Sequence, residues 1–298
     1  LIGTNPRKEA PILNARIRKR FVAGGVKIGV IGDGADLTYD YDHISDTADA
    51  VAKIADGSHP FAQVLKDAER PMLVLGMGAL TRADSDAILG AGYAIAESTG
   101  MVSGDWNGFN VLHTAAARVG ALDVGFVPGE GGKDTQGILD GAASGDIQAV
   151  YLLGADEIDT AKLTDAFVIY QGHHGDAGAH VADVILPGAA YTEKNATYVN
   201  TEGRAQLGQR AIFPPGDARE DWSIIRALSE RLGKTLPYDS LEQVREKLRK
   251  ISPDFTHVDE VVTAEWEKFG GAGSIDATRF TYPVANYYQT DPISRSSK

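Results

Sequence analysis

Three glycine turns follow predicted strands, at positions where the backbone could hold a phosphate group. They contain Gly32 with Gly34, Gly76 with Gly78, and Gly154 with the nearby Asp156. Free backbone N–H groups at such turns attract anions. None of the three completes the dinucleotide-binding fingerprint, because its third glycine would fall on Leu37 or on Thr81. Glycines of this kind also make tight strand-to-helix turns, and we expect that structural role.

Two adjacent histidines, His173 and His174, lie between Gly172 and Asp176, and His180 follows shortly afterwards. Adjacent residues of an extended segment point to opposite sides, so such a pair rarely binds one metal ion. His174, Asp176 and His180 could converge in a loop, but no cysteine or helical pair of histidines supports a metal site. We therefore expect no metal ion, and we expect polar residues at the carboxyl end of a sheet, where open α/β folds place their crevices.

Other catalytic sets are incomplete in this sequence. A serine hydrolase is excluded by pattern, because no Gly-x-Ser-x-Gly motif occurs. Glu193 and Lys194 could act with Glu202 and Arg204 as an acid/base set, but charge pairs that hold a turn are the simpler interpretation. The residues alone thus predict no catalytic side chain.

The composition excludes several kinds of site and partner. The 298 residues include no cysteine, which excludes disulfides, thiolate nucleophiles and cysteine-held iron–sulfur clusters. The formal net charge of −12 argues against a nucleic-acid partner, since neutralising phosphates requires a basic surface. No run approaches the roughly 18 apolar residues that a bilayer-spanning helix needs, so we expect no direct membrane insertion.

Short β-branched runs alternate with amphipathic stretches. This pattern predicts an α/β protein of mostly parallel sheets with helices on both faces. Strands are predicted at residues 26–31, 71–75, 149–153, 166–170 and 181–186. Helices are predicted at residues 47–55, 61–69, 83–99, 111–122, 221–232 and 240–249. The periodicity fades beyond Ser252, and we expect an irregular, extended tail whose aromatic residues dock on a neighbouring surface.

A change in composition near Arg70 and Pro71 marks a domain boundary. The chain begins without methionine, and Leu1 and Ile2 resemble the cut end of a buried strand that enters a turn. We therefore expect a fragment of a longer polypeptide, with its N-terminal part missing. The expected parts are the end of a first α/β unit at 1–69, a second α/β unit at 70–236, and a helix with a docking tail at 237–298.

Two long stretches carry a family resemblance. Residues 181–194 (VADVILPGAAYTEK) and 197–206 (TYVNTEGRAQ) resemble a motif of the molybdopterin oxidoreductase superfamily, with Ala196 where glycine is usual. Shorter matches follow the same order along the chain, at residues 3–6, 75–78, 154–156 and 214–222. The resemblance covers about residues 1–235 and implies a molybdopterin oxidoreductase-like fold.

Within that superfamily, further stretches are similar to the family of large iron–sulfur subunits of respiratory complex I. They lie at residues 16–19, 36–39, 57–61, 170–176 and 290–295. This resemblance implies that the chain is the C-terminal, scaffold portion of the iron–sulfur subunit of NADH:quinone oxidoreductase, a proton-pumping translocase. It implies a non-catalytic fragment without a cofactor, while 2Fe–2S and 4Fe–4S clusters in the missing N-terminal part carry electrons from NADH to quinone.

The resemblance also implies a vestigial pocket, partners and a location. The implied partners are other subunits of the peripheral arm, including the NADH/FMN-binding subunit. The implied location is peripheral, on the cytoplasmic face of a bacterial plasma membrane or the matrix face of the mitochondrial inner membrane. The candidate pocket residues are Gly76, Gly78, Gly154, Asp156, His173 and His174.

Two alternatives stay open at this point. One is a fragment of a molybdenum or tungsten oxidoreductase, such as a formate dehydrogenase relative. That enzyme would need a metal ligand from the missing N-terminal part and a further domain to close over the pterin. The other is a small-molecule sensor that uses the vestigial pocket, which nucleotide binding would test.

Overall fold

The computed structural model describes residues 1–297 and divides the chain into two compact units. Unit 1 comprises Leu1–Ala115 and Thr263–Tyr287. Unit 2 comprises Ala116–Val262 and the residues from Tyr288 onward. Each unit is therefore built from two separate segments of the chain, and the boundary expected near Arg70 lies inside unit 1.

Unit 1 combines short parallel strands with helices of very different lengths. Its helices are α1 (Pro6–Glu9), α2 (Pro11–Val22), α3 (Ala50–Ala55), α4 (Phe61–Lys66), α5 (Met77–Leu80) and α6 (Ser85–Thr99). Its strands are β1 (Gly29–Ile31), β2 (Asp42–Ser45), β3 (Leu73–Leu75), β4 (Val102–Ser103), β5 (Trp106–Asn107) and β6 (Phe109–Val111).

The parallel strands of unit 1 join into one sheet through Ile2. β1 pairs with β2 and β3 pairs with β6, both in parallel, and Ile2 forms parallel bridges to Ile31 and Leu75. The N–H of Ile2 donates to the carbonyl of Val74 at 2.9 Å, and the N–H of Gly76 donates to the carbonyl of Ile2 at 3.0 Å. The order across the sheet is therefore β2, β1, Ile2, β3, β6, with the bridge residue Ile2 at its centre.

The core of unit 1 lies between this sheet and α6. Ile88 and Ile95 are fully buried on α6 and belong to the same cluster as Leu75. Their spacing follows the helical repeat, which is why the helix could be predicted from the sequence. Gly100 ends the helix in the left-handed conformation, with φ of 63°, where glycine lacks the steric cost of a side chain.

The second segment of unit 1, Thr263–Tyr287, is called the tail below, and it packs onto this core. Trp266 and Phe269 form an aromatic cluster with Tyr93 on α6 and Phe109 on β6, with ring centroids 5.0 to 5.5 Å apart. Trp266 also donates from Nε1 to a carboxylate oxygen of Glu97 at 2.7 Å. The surface on which these tail aromatics dock is thus that of unit 1 itself.

Unit 2 contains a parallel sheet, a hairpin and several helices. Its helices are α7 (Arg118–Asp123), α8 (Thr135–Ser144), α9 (Ala177–His180), α10 (Asp221–Arg231), α11 (Leu241–Ile251) and α12 (Pro292–Ser296). Its strands are β7 (Ala149–Leu153), β8 (Phe167–Gly172), β9 (Val184–Pro187), β10 (Ala196–Val199) and β11 (Ala205–Gly208). Short 3-10 turns lie at Thr160–Leu163 and Pro253–Thr256, and a third, Tyr287–Gln289, begins at the last residue of unit 1.

The sheet of unit 2 has the strand order β7, β8, β9, and every pair is parallel. One of its faces buries Val150, Val168 and Tyr170 against Leu139 and Ala142 of α8. Side chains two residues apart along a strand share a face, and this alternation produces the buried side. The predicted class, an α/β fold with mostly parallel sheets, is confirmed.

One predicted helix is wrong at its start. The helix expected over residues 111–122 begins only at Arg118, and Val111 instead ends strand β6, paired with Leu75. The N–H of Leu112 then donates to the carbonyl of Leu75 at 2.8 Å. The alanine-rich sequence favours a helix locally, but pairing with β3 overrides that preference.

The two helices α10 and α11 agree with the sequence prediction to within two residues. The hydroxyl of Ser240 caps α11 by accepting from the N–H of Gln243 at 3.3 Å. Among the helices formed by the described residues, none combines the length and the apolar character needed to cross a lipid bilayer.

Candidate functional site

The six residues expected around a pocket divide between the two units. Gly76 and Gly78 belong to unit 1, where they follow β3. The other four belong to unit 2 and follow β7 or β8: Gly154, Asp156, His173 and His174. Because β7 and β8 are parallel, their carboxyl ends bring these four residues to one edge of the sheet.

The glycines after β3 are required by close packing of the backbone. A Cβ added to Gly76 would lie 2.5 Å from the Cβ of Thr4. A Cβ added to Gly78 would lie 2.6 Å from two carbonyl oxygens, those of Gly3 and Thr281. Both distances are far shorter than a van der Waals contact, so the turn is filled by the chain itself.

Asp156 is a structural carboxylate of unit 2. It is 7% exposed, and each of its oxygens accepts a hydrogen bond. The Tyr170 hydroxyl donates at 3.1 Å and the N–H of Gly178 donates at 2.9 Å. Burial, together with the negative charge of Asp156, raises the pKa of Tyr170 well above its usual value. Asp156 therefore ties the end of β8 to α9.

Gly154 makes the turn that follows β7. Its φ of +59° lies in the left-handed region, which glycine adopts without the steric cost of a side chain. Its N–H donates to the carbonyl of Gln171 at 2.8 Å, which connects the turn to β8. Among the described residues, no atom lies within 4 Å of where its Cβ would be, so this turn, unlike the one after β3, borders open space.

The two histidines contact each other. The Nδ1 atoms of His173 and His174 lie 2.7 Å apart, and the ring centroids are 5.0 Å apart with the planes nearly perpendicular. One of the two nitrogens must donate and the other must accept, so a single proton occupies this contact. The pair is thus arranged to bond to itself at Nδ1, which leaves those atoms unavailable to a metal ion.

A polar network that the sequence did not reveal lies beside the histidines. Gln171 is fully buried, and its Nε2 donates to Oδ1 of Asp221 at 2.8 Å. The Tyr151 hydroxyl donates to Oε1 of Gln171, and Lys194 pairs with the other carboxylate oxygen of Asp221. Asp221 lies in the first turn of α10, where the helix dipole favours a negative charge. The network therefore fastens α10 and the loop after β9 to the edge of the sheet.

The pKa of His173 is shifted by burial and by charged groups of this network. Burial lowers its pKa, and the neighbouring His174 and Lys194 lower it further. The carboxylates of Asp221 and Glu193 oppose the shift but do not reverse it. The lowered pKa favours the neutral imidazole, and the nearby charges are paired with each other. This arrangement holds a sheet edge together through contacts within unit 2.

Hydrogen bonds from Arg295, called the Arg295 clasp below, hold the loop that follows the two histidines. Arg295, on α12, donates from Nε to Asp176 at 2.6 Å and from a terminal nitrogen to Glu157 at 2.8 Å. The hydroxyl of Ser296 donates to the carbonyl of Gly175 at 3.0 Å. Hydrogen bonding to Arg295 lowers the pKa of Asp176. The end of the described chain thus fixes the loop that carries the two histidines.

Two cavities lie elsewhere. One of about 580 Å³ is in unit 1 beside Arg82 and Asp276, and one of about 440 Å³ is in unit 2 beside Phe213 and Trp222. None of the six expected pocket residues lines either cavity. Within residues 1–297, no group of three or more histidine, aspartate or glutamate side chains could hold a metal ion.

Two family models match the chain. The model of molybdopterin oxidoreductase matches residues 1–231, which is most of the chain. The chain belongs to the molybdopterin oxidoreductase family. The C-terminal model of NADH-ubiquinone oxidoreductase G matches residues 256–298, the stretch that contains the tail packed on unit 1 and the Arg295 clasp of unit 2.

Curated relatives are similar to this family member over its whole length. The mitochondrial NADH dehydrogenase (ubiquinone) iron-sulfur protein 1 of Solanum tuberosum is 44% identical, across all of this chain and 40% of that protein. The NADH-ubiquinone oxidoreductase 75 kDa subunit of Reclinomonas americana is 42% identical, across all of this chain and 43% of that protein. An NADH-quinone oxidoreductase subunit of Rickettsia bellii is 41% identical, across all of this chain and 42% of that protein. The resemblance to the large iron–sulfur subunits of complex I is confirmed, and the chain spans about two fifths of the length of these relatives.

The residues present do not fit the cofactors that these families suggest. Iron–sulfur clusters are held by cysteine thiolates, and this chain has no cysteine. A pterin phosphate would need open space against the glycine turn of unit 1, but the carbonyl oxygens of Gly3 and Thr281 fill the space beside Gly78. The candidate residues described above take part in backbone packing and in hydrogen bonds within the protein.

Proposed function

We propose that this chain is a scaffold region of the large iron–sulfur subunit of an NADH:quinone oxidoreductase, respiratory complex I. The observation that carries the proposal is the identity of 41 to 44% to curated subunits of that enzyme across the whole chain. The match of the NADH-ubiquinone oxidoreductase model to residues 256–298 supports it independently.

In this proposal, the chain supports electron transfer without carrying electrons. The electrons from NADH pass to quinone through 2Fe–2S and 4Fe–4S clusters that are held by another part of the same subunit. Two features support this division: the chain lacks cysteine, and its polar residues at the sheet edge of unit 2 bond to each other. The six candidate pocket residues then have structural roles.

The proposed partners are other subunits of the peripheral arm, including the NADH/FMN-binding subunit. The proposed location is the cytoplasmic face of a bacterial plasma membrane or the matrix face of the mitochondrial inner membrane. The names of the relatives support this assignment, since one is mitochondrial and another is a bacterial NADH-quinone oxidoreductase subunit. Attachment to the membrane then occurs through those partners.

Elemental analysis of the intact subunit, purified within its native complex, tests the proposal. We expect several iron atoms per subunit together with neither molybdenum nor tungsten. One molybdenum or tungsten atom per subunit would contradict the scaffold role and would favour a molybdenum or tungsten oxidoreductase. Absence of iron would contradict the assignment to an iron–sulfur subunit.

A further inference from the structure

The strand order of unit 1 defines where a ligand would bind. In open α/β sheets, ligands bind outside the carboxyl ends of the strands, at the point where the strand order reverses. In unit 1, β1 and β2 lie on one side of Ile2, while β3 and β6 lie on the other. The reversal therefore falls between Ile2 and β3, and the residues that leave these two strands are Gly3 and Gly76.

The tail of the chain contacts the turns beside that point, at Gly78 and at Gly32, while Ala79 packs on Gly3 and Thr4 packs on Gly76. The carbonyl oxygen of Thr281 lies 2.6 Å from the position of a Cβ on Gly78. On the neighbouring strand end, the Tyr282 hydroxyl lies 2.6 Å from the position of a Cβ on Gly32, and it donates to the carbonyl of Asp33 at 2.7 Å. Glycine allows a phosphate oxygen to approach the backbone this closely in dinucleotide-binding folds. Here two oxygen atoms of the tail make the approach.

The tail is fixed at this point by charged contacts. The guanidinium of Arg279 donates to Asp33 at 3.1 Å and to Asp46 at 2.8 Å. The N–H of Ala48 donates to the carbonyl of Thr278 at 3.1 Å, and an antiparallel bridge joins Thr47 to Arg279. These contacts hold the segment in one register along the loop that follows β2.

An apolar anchor completes the attachment. The Phe280 side chain is 1% exposed and belongs to the main core of unit 1. The guanidinium of Arg82 lies over its ring, 5.4 Å from the centroid. Burying a side chain of this size removes a large apolar area from water, which strongly favours the docked state. The segment is therefore an integral part of the unit and not a loosely attached extension.

We propose that residues 278–282 form an intramolecular plug. The plug takes the place of a ligand beside the point where the strand order of unit 1 reverses, between Ile2 and β3. The plug closes unit 1 to phosphate-bearing ligands while it is docked. The inference concerns a single unit and does not depend on the function proposed above. It assigns the tail a specific role, which is to cover the strand ends of unit 1.

Hydrogen exchange and GDP binding, measured on the whole chain, test the plug. The variant Arg279→Ala/Tyr282→Ala removes the contacts to Asp33 and Asp46 but keeps Phe280. We expect backbone exchange in residues 278–282 to accelerate by about tenfold or more, because several hydrogen bonds that fix the segment are lost. We also expect GDP at about 1 mM, which is the range of weak affinity, to bind this variant and to slow exchange at residues 31–34 and 76–78.

The matched control is Glu267→Ala/Lys268→Ala, two exposed residues of the same tail. The control and the unaltered chain should keep slow exchange in the plug and should not bind GDP. The proposal is overturned if the unaltered chain binds GDP at residues 31–34 while its plug stays protected. It is equally overturned if the double variant has a released plug and a folded unit 1 but binds no GDP.

A milder variant keeps the test decisive if the double variant loses its fold. Tyr282→Phe removes only the hydroxyl that faces Gly32 and Asp33. We expect a smaller but measurable acceleration of exchange in residues 278–282, accompanied by weak GDP protection of residues 31–34. Exchange and GDP protection that both equal those of the unaltered chain would overturn the proposal.

Discussion

The carboxyl edges of the two parallel sheets are completed in opposite ways. In unit 1, the tail covers the edge with a buried aromatic ring, Phe280, with the carbonyl oxygen of Thr281 and with the hydroxyl of Tyr282. In unit 2, side chains from its own loops meet at the edge in a hydrogen-bonded network around Gln171 and Asp221, and Arg295 clasps the adjacent turn. Apolar burial, reinforced by the ion pairs of Arg279, therefore closes the edge of unit 1, while hydrogen-bonded polar and charged side chains close the edge of unit 2.

This difference determines which conditions each edge tolerates. Burial of apolar surface is insensitive to pH and is strengthened by salts such as sulfate. Hydrogen bonds to ionised groups contribute about 1.5 to 3 kcal/mol each, and removing one partner leaves the other buried and unsatisfied. The stability of unit 1 should thus be most sensitive to the loss of apolar volume, and the stability of unit 2 to the loss of a charge or a hydrogen bond.

Removal of the Phe280 ring should produce the largest effect. Phe280→Ala should lower the free energy of unfolding of unit 1 by about 3 to 5 kcal/mol, because it leaves a cavity in a packed core. The measurement is urea unfolding followed by the fluorescence of Trp266, which packs against the same core. Phe213→Ala is the control: its ring is 78% exposed, and its loss should change stability by less than about 0.5 kcal/mol. Equal effects of both substitutions would contradict closure by burial.

Removal of the buried amide of unit 2 should have an intermediate effect. Gln171→Leu should cost about 1 to 3 kcal/mol, because Asp221 and Tyr151 lose a partner inside the protein. Thermal unfolding monitored by circular dichroism measures it. The control is Gln136→Leu, which breaks one exposed hydrogen bond to Asp140 and should cost at most about 0.5 kcal/mol. A neutral or stabilising Gln171→Leu would show that the network is not what closes this edge.

Removal of the Arg295 clasp should have an effect of similar size that depends on pH. Arg295→Ala should cost about 1.5 to 3 kcal/mol locally at neutral pH, since charge-assisted hydrogen bonds are lost, and exchange in residues 172–176 should accelerate accordingly. The pKa of Asp176 is lowered in the folded state by Arg295, so this contribution is present above the usual pKa of 3.8 and is lost as the pH falls through the lowered pKa. The difference between the two proteins should therefore disappear in acid.

An exposed ion pair provides the comparison for the clasp. Arg249→Ala removes a contact to Glu242 at 2.7 Å, where both side chains are more than a third exposed to solvent. Such pairs contribute about 0 to 1 kcal/mol, so exchange around Arg249 should hardly change. If Arg295→Ala behaved like Arg249→Ala at neutral pH, the clasp would be a surface contact and not a closing element.

The histidine pair should make unit 2 mildly sensitive to pH near neutrality. The pKa of His173 is lowered in the folded state, so the unfolded chain binds more protons just below the usual pKa of 6.5. Stability should therefore decrease as the pH falls through 6.5 toward the lowered pKa. His173→Gln should flatten that part of the curve of unfolding free energy against pH. An unchanged slope would indicate that His173 titrates as it does in the unfolded chain.

The smallest effect is expected on electron transfer. If the scaffold proposal is correct, His173→Ala and His174→Ala should leave NADH:quinone activity of the assembled complex nearly unchanged, within about twofold, which is less than 0.5 kcal/mol in the activation barrier. The reason is that the two imidazoles contact each other through Nδ1 and adjoin a network of paired charges. A loss of activity of about tenfold or more, at unchanged amounts of assembled complex, would refute the scaffold role.

Local patterns predicted much of the fold. Residues 149–153 form a strand as expected, because a short β-branched run bounded by a glycine turn has few other solutions. The cap of α11 by Ser240 followed from its residue type and its position before an apolar repeat. The failure at residues 111–117 has the opposite cause, since a contact with β3 decided the conformation there and no local signal encodes that contact.

The candidate site was less predictable for the same reason. Glycines and histidines at strand ends are visible in a sequence, and four of the candidate residues do meet at one edge of unit 2. Gln171 and Asp221 are separated by fifty residues, and neither residue type indicates a buried partner. The weak signals available were an acidic residue at the start of α10 and an amide at the end of a buried strand. No sequence feature predicted the packing of the tail against Gly78, because a glycine pair indicates only that some other group approaches the backbone closely.

Because unit 1 is built from two segments that are far apart in the sequence, it can be completed only late in synthesis. On the ribosome, Tyr93 and Phe109 emerge long before Trp266 and Phe280, and all of residues 116–262 are made in between. At about 5 to 20 residues per second, that interval lasts roughly 7 to 30 s. During it, the apolar surface that the tail will cover stays open to water and to other nascent chains. Unit 2 is nearly complete when the tail appears, so unit 1, whose synthesis starts before that of unit 2, is the last to acquire its full core.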